Sequence, residues 1–294
     1  MIHHSTVRTR APLRISFAGG GTDLPEFSDL HGGVVLSATI KRYAHCELTY
    51  NGQLEVKVNC DCLPGSGLGG SSAVCVAMIQ AMDARLGIER TKDDLADAAY
   101  RWERLHMQIA GGKQDQYAAA YGGLNLIEFH TVPEQAIESW EPVEVRPVTA
   151  DKVALQRSLM LVYTGKARTD AGIQKKLAES CRDKASDLSV LKLVVRDMYL
   201  ALTEGRISDF GKLLHSAWIY KTKVSPCTTP RADELYDVAR KAGVWGGKLC
   251  GAGLGGYLLL CCDEERQPAV IRALEPMDCV CEAVEFEDEG AKAL

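Results

Sequence analysis

The sequence predicts an α/β (α+β) protein in two halves, and three observations predict it. Strand-like runs and helix-like runs succeed one another along most of the chain. Two glycine-rich loops, residues 64–73 (PGSGLGGSSA) and 246–256 (GGKLCGAGLGG), each adjoin a strand-like run. The length, 294 residues, suffices for one large domain or two ordinary ones. The halves are expected over 1–150 and 151–294, joined near the irregular, acidic stretch 133–147.

Taken in order, the first sixty residues read as strands and turns. Residues 14–18 (RISFA) form an apolar run ending in Gly19-Gly20-Gly21. Strand-like runs follow at 34–40, 44–50 and 54–58, with Asn51-Gly52 as a hairpin signal between the last two. After the first glycine loop, residues 73–86 read as a helix stopped by Gly87. Thr91 and Asp94 resemble a capping box opening a helix whose apolar stripe runs through Leu95, Ala98, Ala99, Trp102, Leu105 and Ile109 to Gly111-Gly112. Trp102 is therefore expected in the core rather than as a stacking platform, and His31, His45 and His106 as structural residues. Residues 158–163 (SLMLVY) read as a buried strand. Helices dominate the next eighty residues, the last started by Thr229-Pro230 and stopped by Gly243. The second glycine loop then runs into the strand YLLLCC.

Composition narrows the function. With 46% hydrophobic and 25% charged residues and a formal charge of -5, the chain has no bulk basic character to suggest a nucleic-acid surface. No apolar run approaches the ~18 residues of a membrane span, and the first residues lack the apolar core of a signal peptide. A cytoplasmic protein without nucleic-acid or membrane partners is expected, a monomer or homodimer. Eleven cysteines, an odd number in apolar contexts, read as reduced core thiols. Cys60-Asp61-Cys62 and Cys279-Val280-Cys281 lack the two-residue gap of zinc or redox motifs.

The loop at 64–73 admits several readings. Gly65, Gly67 and Gly70 match G-x-G-x-x-G, but a dinucleotide fold requires a second strand ending in an acidic residue about 20 positions on, where this chain has a capped helix. A Walker A loop requires Lys-Ser or Lys-Thr after its last glycine, and Gly70 is followed by Ser71-Ser72. A tight packing turn remains, as does a phosphate loop. In the latter the backbone N–H groups of residues 67–72 face phosphates at a helix N-terminus. Ser72 then offers a hydroxyl to magnesium, which takes only one or two oxygen ligands from protein. Glu103, on the next helix, is a candidate carboxylate, and on spacing alone is equally a solvated surface charge.

The residues RAPLRISFAGGGTD (10–23) resemble the first motif of the GHMP small-molecule kinases, PGSGLGGSSA the second and GGKLCGAGLGG the third, in the family's order. Within that superfamily AGGGTD, TGKARTDAGI (164–173) and the stretch from LLHSAWIYKTKVS through TTPRADELYDVARKAG resemble the D-glycero-D-manno-heptose 7-phosphate kinase branch. The resemblance implies an N-terminal α/β domain holding the phosphate loop and a C-terminal ferredoxin-like domain, with the site between them. It implies ATP and Mg2+, and transfer of phosphate to the anomeric hydroxyl of a phosphosugar. Residue by residue, it implies ATP phosphates held by Gly65, Ser66, Gly67, Leu68, Gly69, Gly70, Ser71 and Ser72, and magnesium on Ser72 and Glu103. Asp115 becomes the general base, kept ionised by Arg14, which also steadies transferred charge. Gly21, Thr22, Asp23 and Gly253 approach the sugar. A distal phosphate calls for cations, with Arg168, Lys175 and Lys176 as candidates. The interval between Asp23 and Pro64 is shorter than in relatives, so no adenine-binding residue is named. Two other readings stand beside this one: an anomeric kinase of an unphosphorylated sugar such as fucose or galactose, and a sugar- and nucleotide-binding regulator without catalysis.

Overall fold

The computed structural model describes residues 5–132, 143–165 and 172–294. Its backbone ladder starts with β1 (Ser5–Ala18), which is followed by a short helix, α1 (Pro25–His31). The expected runs at 34–40 and 44–50 are one continuous strand, β2 (Gly33–Tyr50), paired antiparallel with β1 from Ser5↔Tyr50 to Ala18↔Leu36. A register shift between Pro12 and Leu13 absorbs the irregular pairing at the middle of β2, so the strand continues where the apolar pattern lapses. β3 (Leu54–Cys60) returns through the Asn51-Gly52 hairpin, with Gly52 at φ 102.

α2 (Gly70–Leu86) begins three residues earlier than expected, inside the glycine loop, and ends at Gly87 in the left-handed conformation. α3 (Lys92–Arg101) is capped as read: the Thr91 hydroxyl accepts from the Asp94 N–H at 3.1 Å and donates to the Asp94 carboxylate at 2.7 Å. The expected long helix does not continue. Residues Trp102–His106 form a π turn, and an irregular segment leads to α4 (Gln114–Tyr121). β4 (Leu124–Phe129) pairs with β2, and β5 (Val143–Pro147), inside the expected irregular connection, pairs with β4. The sheet is completed by β10 (Lys292–Ala293), which brings the end of the chain back to β1.

α5 (Lys152–Ser158) leads into β6 (Leu159–Tyr163). Four helices follow: α6 (Ile173–Ser180), α7 (Ala185–Thr203), α8 (Ile207–Val224) and α9 (Pro230–Lys241). Thr229 caps α9 by accepting from the Ala232 N–H at 3.2 Å, with Pro230 at its first position. β7 (Gly246–Leu249), β8 (Tyr257–Cys261), α10 (Gln267–Leu274) and β9 (Val280–Ala283) complete the second sheet. Its order is β7-β8-β6-β9, all antiparallel, the arrangement of a ferredoxin-like βαββαβ unit.

The first eight residues of β2 are buried without alternation, so both faces of that part of the sheet are covered. α2 packs on β1 and β2, α7 reaches the same two strands, and α8 packs on β1, β7 and β8. Phe17 of β1 meets Phe210 of α8 edge-on at 5.2 Å, both fully buried. Such an aromatic pair contributes about 0.5–1.5 kcal/mol beyond its buried area. α8 thus ties the two sheets together. No helix among the described residues is long and apolar enough to cross a membrane.

The two glycine loops interlock. A Cβ on Gly67 would stand 2.5 Å from the Cys250 carbonyl oxygen, and one on Gly251 would stand 2.7 Å from the Gly67 Cα. Both residues have positive φ, 85° and 58°. Close packing is therefore part of what the bare loop is for. Gly87, at φ 69, has nothing within 4 Å of its Cβ position. We expect Gly87→Ala to lower stability in urea unfolding by about 1 kcal/mol, the strain of a left-handed alanine. Gly67→Ala should lose at least about 2 kcal/mol more, since backbone must move. Equal losses at the two positions would contradict the interlock.

Candidate active site

The site is built around Arg14. Its position on β1 brings its N–H to the Leu68 carbonyl at 3.0 Å and its guanidinium to the Gly67 carbonyl at 2.7 Å. The same guanidinium grips Asp115 of α4 in a bidentate pair, Nε to Oδ1 at 2.8 Å and the second nitrogen to Oδ2 at 2.7 Å. The Arg14 side chain is 5% exposed and that of Asp115 19%. Removing one partner of so enclosed a pair costs about 3–5 kcal/mol, because the other charge is left unpaired.

The loop at 64–69 enters α2 through Gly69, left-handed at φ 77, which no side chain caps. A Cβ there would meet the Arg14 Cγ at 3.3 Å. The Ala73 N–H makes the bond to Gly69 O at 3.0 Å, so the N–H groups of Gly70, Ser71 and Ser72 precede it at the N-terminus of a 17-residue helix. Gly65, Ser66, Gly67, Gly69, Gly70, Ser71 and Ser72 line a cavity of about 670 Å3, whereas Leu68 is fully buried beneath it.

Glu103 is a buried residue, 1% exposed, not a solvated charge. The π turn explains this. Its extra residue shifts the helical register just after Arg101, turning Glu103 inward and leaving Trp102 37% and Leu105 63% exposed. The reading of Trp102 as core is thereby corrected: it lines the large cavity with Leu63, Met78, Met107 and Ile109. The Glu103 carboxylate accepts from the Ser72 hydroxyl and from Gln116 Nε2, each at 2.7 Å, and its other oxygen lies 3.2 Å from Arg104. Gln116 is fully buried and its Oε1 has no hydrogen-bond partner. A carboxylate, a hydroxyl and an unpartnered amide oxygen within one cluster are the oxygen donors that suit magnesium.

Beyond Asp115 lies a narrower recess, lined by Gly20, Gly21, Asp23, Gln114, Lys221 and Ser225 among others. Arg14, Arg104, Asp115, Gly251 and Ala252 line both it and the large cavity. Asp23 is 1% exposed, and its carboxylate accepts from the Gly21 N–H at 2.9 Å and the Gln114 N–H at 3.1 Å. Burial pushes its pKa above the usual carboxylate range, and Asp115 adds to that against the lowering effect of those two N–H groups. Thr22 is fully buried and lines neither cavity; its hydroxyl accepts from the Val34 N–H at 3.0 Å and lies 2.8 Å from Gly19 O. Gly253 is also outside both, its Cβ direction filled by Cys227 O at 2.1 Å. Lys175 and Lys176 are exposed on α6, whose Leu177 lines the recess. Arg168 lies outside the described residues.

Sequence reasoning missed Gln116, Arg104, Lys221 and Lys248. A glutamine flanking Asp115 in an otherwise alanine-rich helix (QDQYAAAY) was the available signal for the first. Lys248, on β7, is 3% exposed and donates to Ser16 O at 2.6 Å. Lys221 donates to Gly251 O. Burial, with Lys221 and Arg14 nearby, pulls the Lys248 pKa down to about 7, while Cys250 and Cys227 oppose the shift. An unfolded lysine titrates near 10.4, so between pH 7 and that value the unfolded chain binds more protons and the folded state gains stability with rising pH. We expect the Tm of Lys248→Met, relative to the unsubstituted protein, to fall steadily from pH 7 to pH 9.5. A difference that stays flat across that range would contradict the burial of a strained ammonium.

Comparison with known proteins agrees with this arrangement. The GHMP kinases N terminal domain model matches residues 34–123 and the GHMP kinases C terminal model matches residues 198–278. The chain is 28% identical over 340 aligned positions to the D-glycero-alpha-D-manno-heptose 7-phosphate kinase of Campylobacter jejuni, covering 98% of each. It is 29% identical over 217 positions to the L-fucokinase/L-fucose-1-P guanylyltransferase of Bacteroides fragilis, spanning 71% of this chain and 22% of that one. A D-glycero-D-manno-heptose 1-phosphate kinase from Bacteroides thetaiotaomicron superposes with a TM-score of 0.78 at 26% identity, over 98% of both chains. Two halves of one family's signature, in order and on the two sheets described above, leave one assignment: the chain belongs to the GHMP kinases.

Proposed function

We propose that the protein transfers the γ-phosphoryl group of ATP to the anomeric hydroxyl of a phosphosugar, with D-glycero-D-manno-heptose 7-phosphate as the favoured acceptor. As a GHMP kinase the chain is a phosphotransferase with an alcohol acceptor; the acceptor and the residue roles are the proposal. The observation that carries it is the placement of Asp115, which lines both cavities and is held by Arg14 where they meet. ATP is assigned to the large cavity, its phosphates along Gly65–Ser72 and its base against the apolar wall that includes Trp102 and Met78. The sugar is assigned to the recess.

In the reaction the Asp115 carboxylate takes the proton of the anomeric hydroxyl as its oxygen bonds to the γ-phosphorus. The bond from that phosphorus to the bridging oxygen breaks and ADP leaves. Little covalent help is required; most of the barrier reduction comes from position and charge. Arg14 orients Asp115 and contributes positive charge at the junction. Magnesium held by Ser72 and Glu103 would neutralise phosphate charge. Gly21 and Asp23 line the sugar side, and Thr22 and Gly253 support it from outside the cavity through the contacts described above.

The two heptose kinase relatives are named for acceptors phosphorylated at opposite ends, position 7 and position 1. The base-equipped junction favours an acceptor whose anomeric hydroxyl is free. Lys175 is assigned to the distal phosphate, because it is exposed on a helix that borders the recess. Cytoplasmic residence belongs to the same proposal and is supported by the eleven cysteines, all free thiols.

Steady-state kinetics test these roles. Asp115→Asn is expected to lower kcat by about 10²–10⁴-fold, the usual contribution of a general base. Lys175→Ala is expected to raise KM for the heptose 7-phosphate several-fold, the scale of one exposed charge-assisted contact, and to leave KM for unphosphorylated galactose or fucose in place. A fully active Asp115→Asn would overturn the base. Better turnover of a free sugar than of the phosphosugar would select the fucokinase-like reading instead.

A further inference from the structure

Two buried side-chain oxygens of residues that line the recess are left without partners. The Ser225 hydroxyl oxygen and the Gln114 amide oxygen are both buried, both belong to residues lining the recess, and neither has a hydrogen-bond partner. Ser225 is 6% exposed and follows the last residue of α8. Its backbone is fully engaged, the N–H with Lys221 O at 3.1 Å and the carbonyl with the Cys227 N–H at 2.7 Å, so the hydroxyl alone is uncommitted. Gln114 opens α4, its N–H held by Asp23, and its side chain lies over Gly20, where a Cβ would stand 3.2 Å from the amide nitrogen. Gly20 thus clears the place the amide occupies.

We infer that Ser225 and Gln114 are specificity-determining residues that hydrogen-bond the acceptor's ring hydroxyls, so the recess selects a polyhydroxylated ligand rather than an apolar alcohol. The inference rests on the reading of the recess as the acceptor site. An unmade hydrogen bond in a buried setting disfavours the empty state, and a ligand hydroxyl that completes it gains that difference. Two such oxygens, one from α4 and one from the end of α8, set an orientation as well as an affinity. The same walls carry the Asp115 carboxylate and Lys221, so a sugar seated between Ser225 and Gln114 is held beside the base. A site that commits buried polar atoms to a substrate hydroxyl rejects the analogue lacking it more strongly than an apolar pocket rejects an extra methylene.

The test measures KM and kcat for D-glycero-D-manno-heptose 7-phosphate, L-fucose, D-galactose and D-mannose, together with KM for ATP. It uses the unsubstituted protein, Ser225→Ala, Gln114→Leu and Ser225→Thr, with Tm recorded for each. Each of the first two substitutions is expected to raise KM for the preferred sugar about tenfold, with little change in KM for ATP or in Tm. Ser225→Thr, which keeps the hydroxyl on an extended backbone that threonine accepts, should restore the sugar KM. Unchanged sugar KM in Ser225→Ala and Gln114→Leu, with turnover intact, would overturn this inference and leave the sugar kinase reading standing. So would matched rises in both KM values with a lowered Tm, the mark of a structural role. An unsubstituted protein that turns over none of the four sugars would overturn the acceptor reading, and this inference with it.

Discussion

One side chain couples every part of the site. Arg14 stands on β1, and its four nitrogens are divided between two carbonyls of the glycine loop at 64–73 and the carboxylate of Asp115. A guanidinium is suited to this because its fork is planar, rigid and permanently charged. Lysine would supply one point charge and could not span loop and carboxylate together. The pairing sets the distance between the loop and α4, and therefore the width of the junction where the two cavities meet. The interlocked glycines, Gly67 against Cys250 and Gly251, also bound the junction, with Arg14 on the Gly67 carbonyl and Lys221 on that of Gly251.

Much of this was legible because it depends on local chemistry. The capping of two helices by Thr91 and Thr229, the hairpin at Asn51-Gly52 and the end of a helix at Gly87 each follow from residues within a few positions. The three glycine-bearing motifs were legible through resemblance, and they mark the surfaces that line the two cavities. What could not be read depends on distant partners. The apolar pattern ran through Trp102 and Leu105 as if one helix continued, yet the structure inserts a π turn there. That turn satisfies a buried Glu103 with Ser72 and Gln116, which are 31 and 13 positions away in sequence. Period alone cannot register such a demand. Ser225 ends the LLHSAWIYKTKVS stretch that carries the resemblance, yet nothing local to it says what its hydroxyl faces, which follows only from where α8 ends. The pairing of β10 with β1 is likewise invisible in a two-residue strand.

The site also has a marked electrostatic bias. Arg14, Arg104 and Lys221 line the recess, against the carboxylates of Asp23 and Asp115, and Lys248 sits behind them with its ammonium on a backbone carbonyl. Burying that ammonium is unfavourable, as the lowered Lys248 pKa reports, with burial the leading cause and Lys221 and Arg14 adding to it. A group carrying several negative charges would offset that cost. Asp23 is an acid whose own burial, with Asp115 adding to it, favours its neutral form.

The central claim is that the γ-phosphoryl group of ATP passes to an anomeric hydroxyl whose proton Asp115 takes. Phosphorus NMR of the protein with ATP, magnesium and D-glycero-D-manno-heptose 7-phosphate tests it most directly. The account expects ADP to accumulate together with a second sugar phosphate signal coupled to the anomeric proton. Release of inorganic phosphate alone, or a new phosphate on any other carbon, would contradict it.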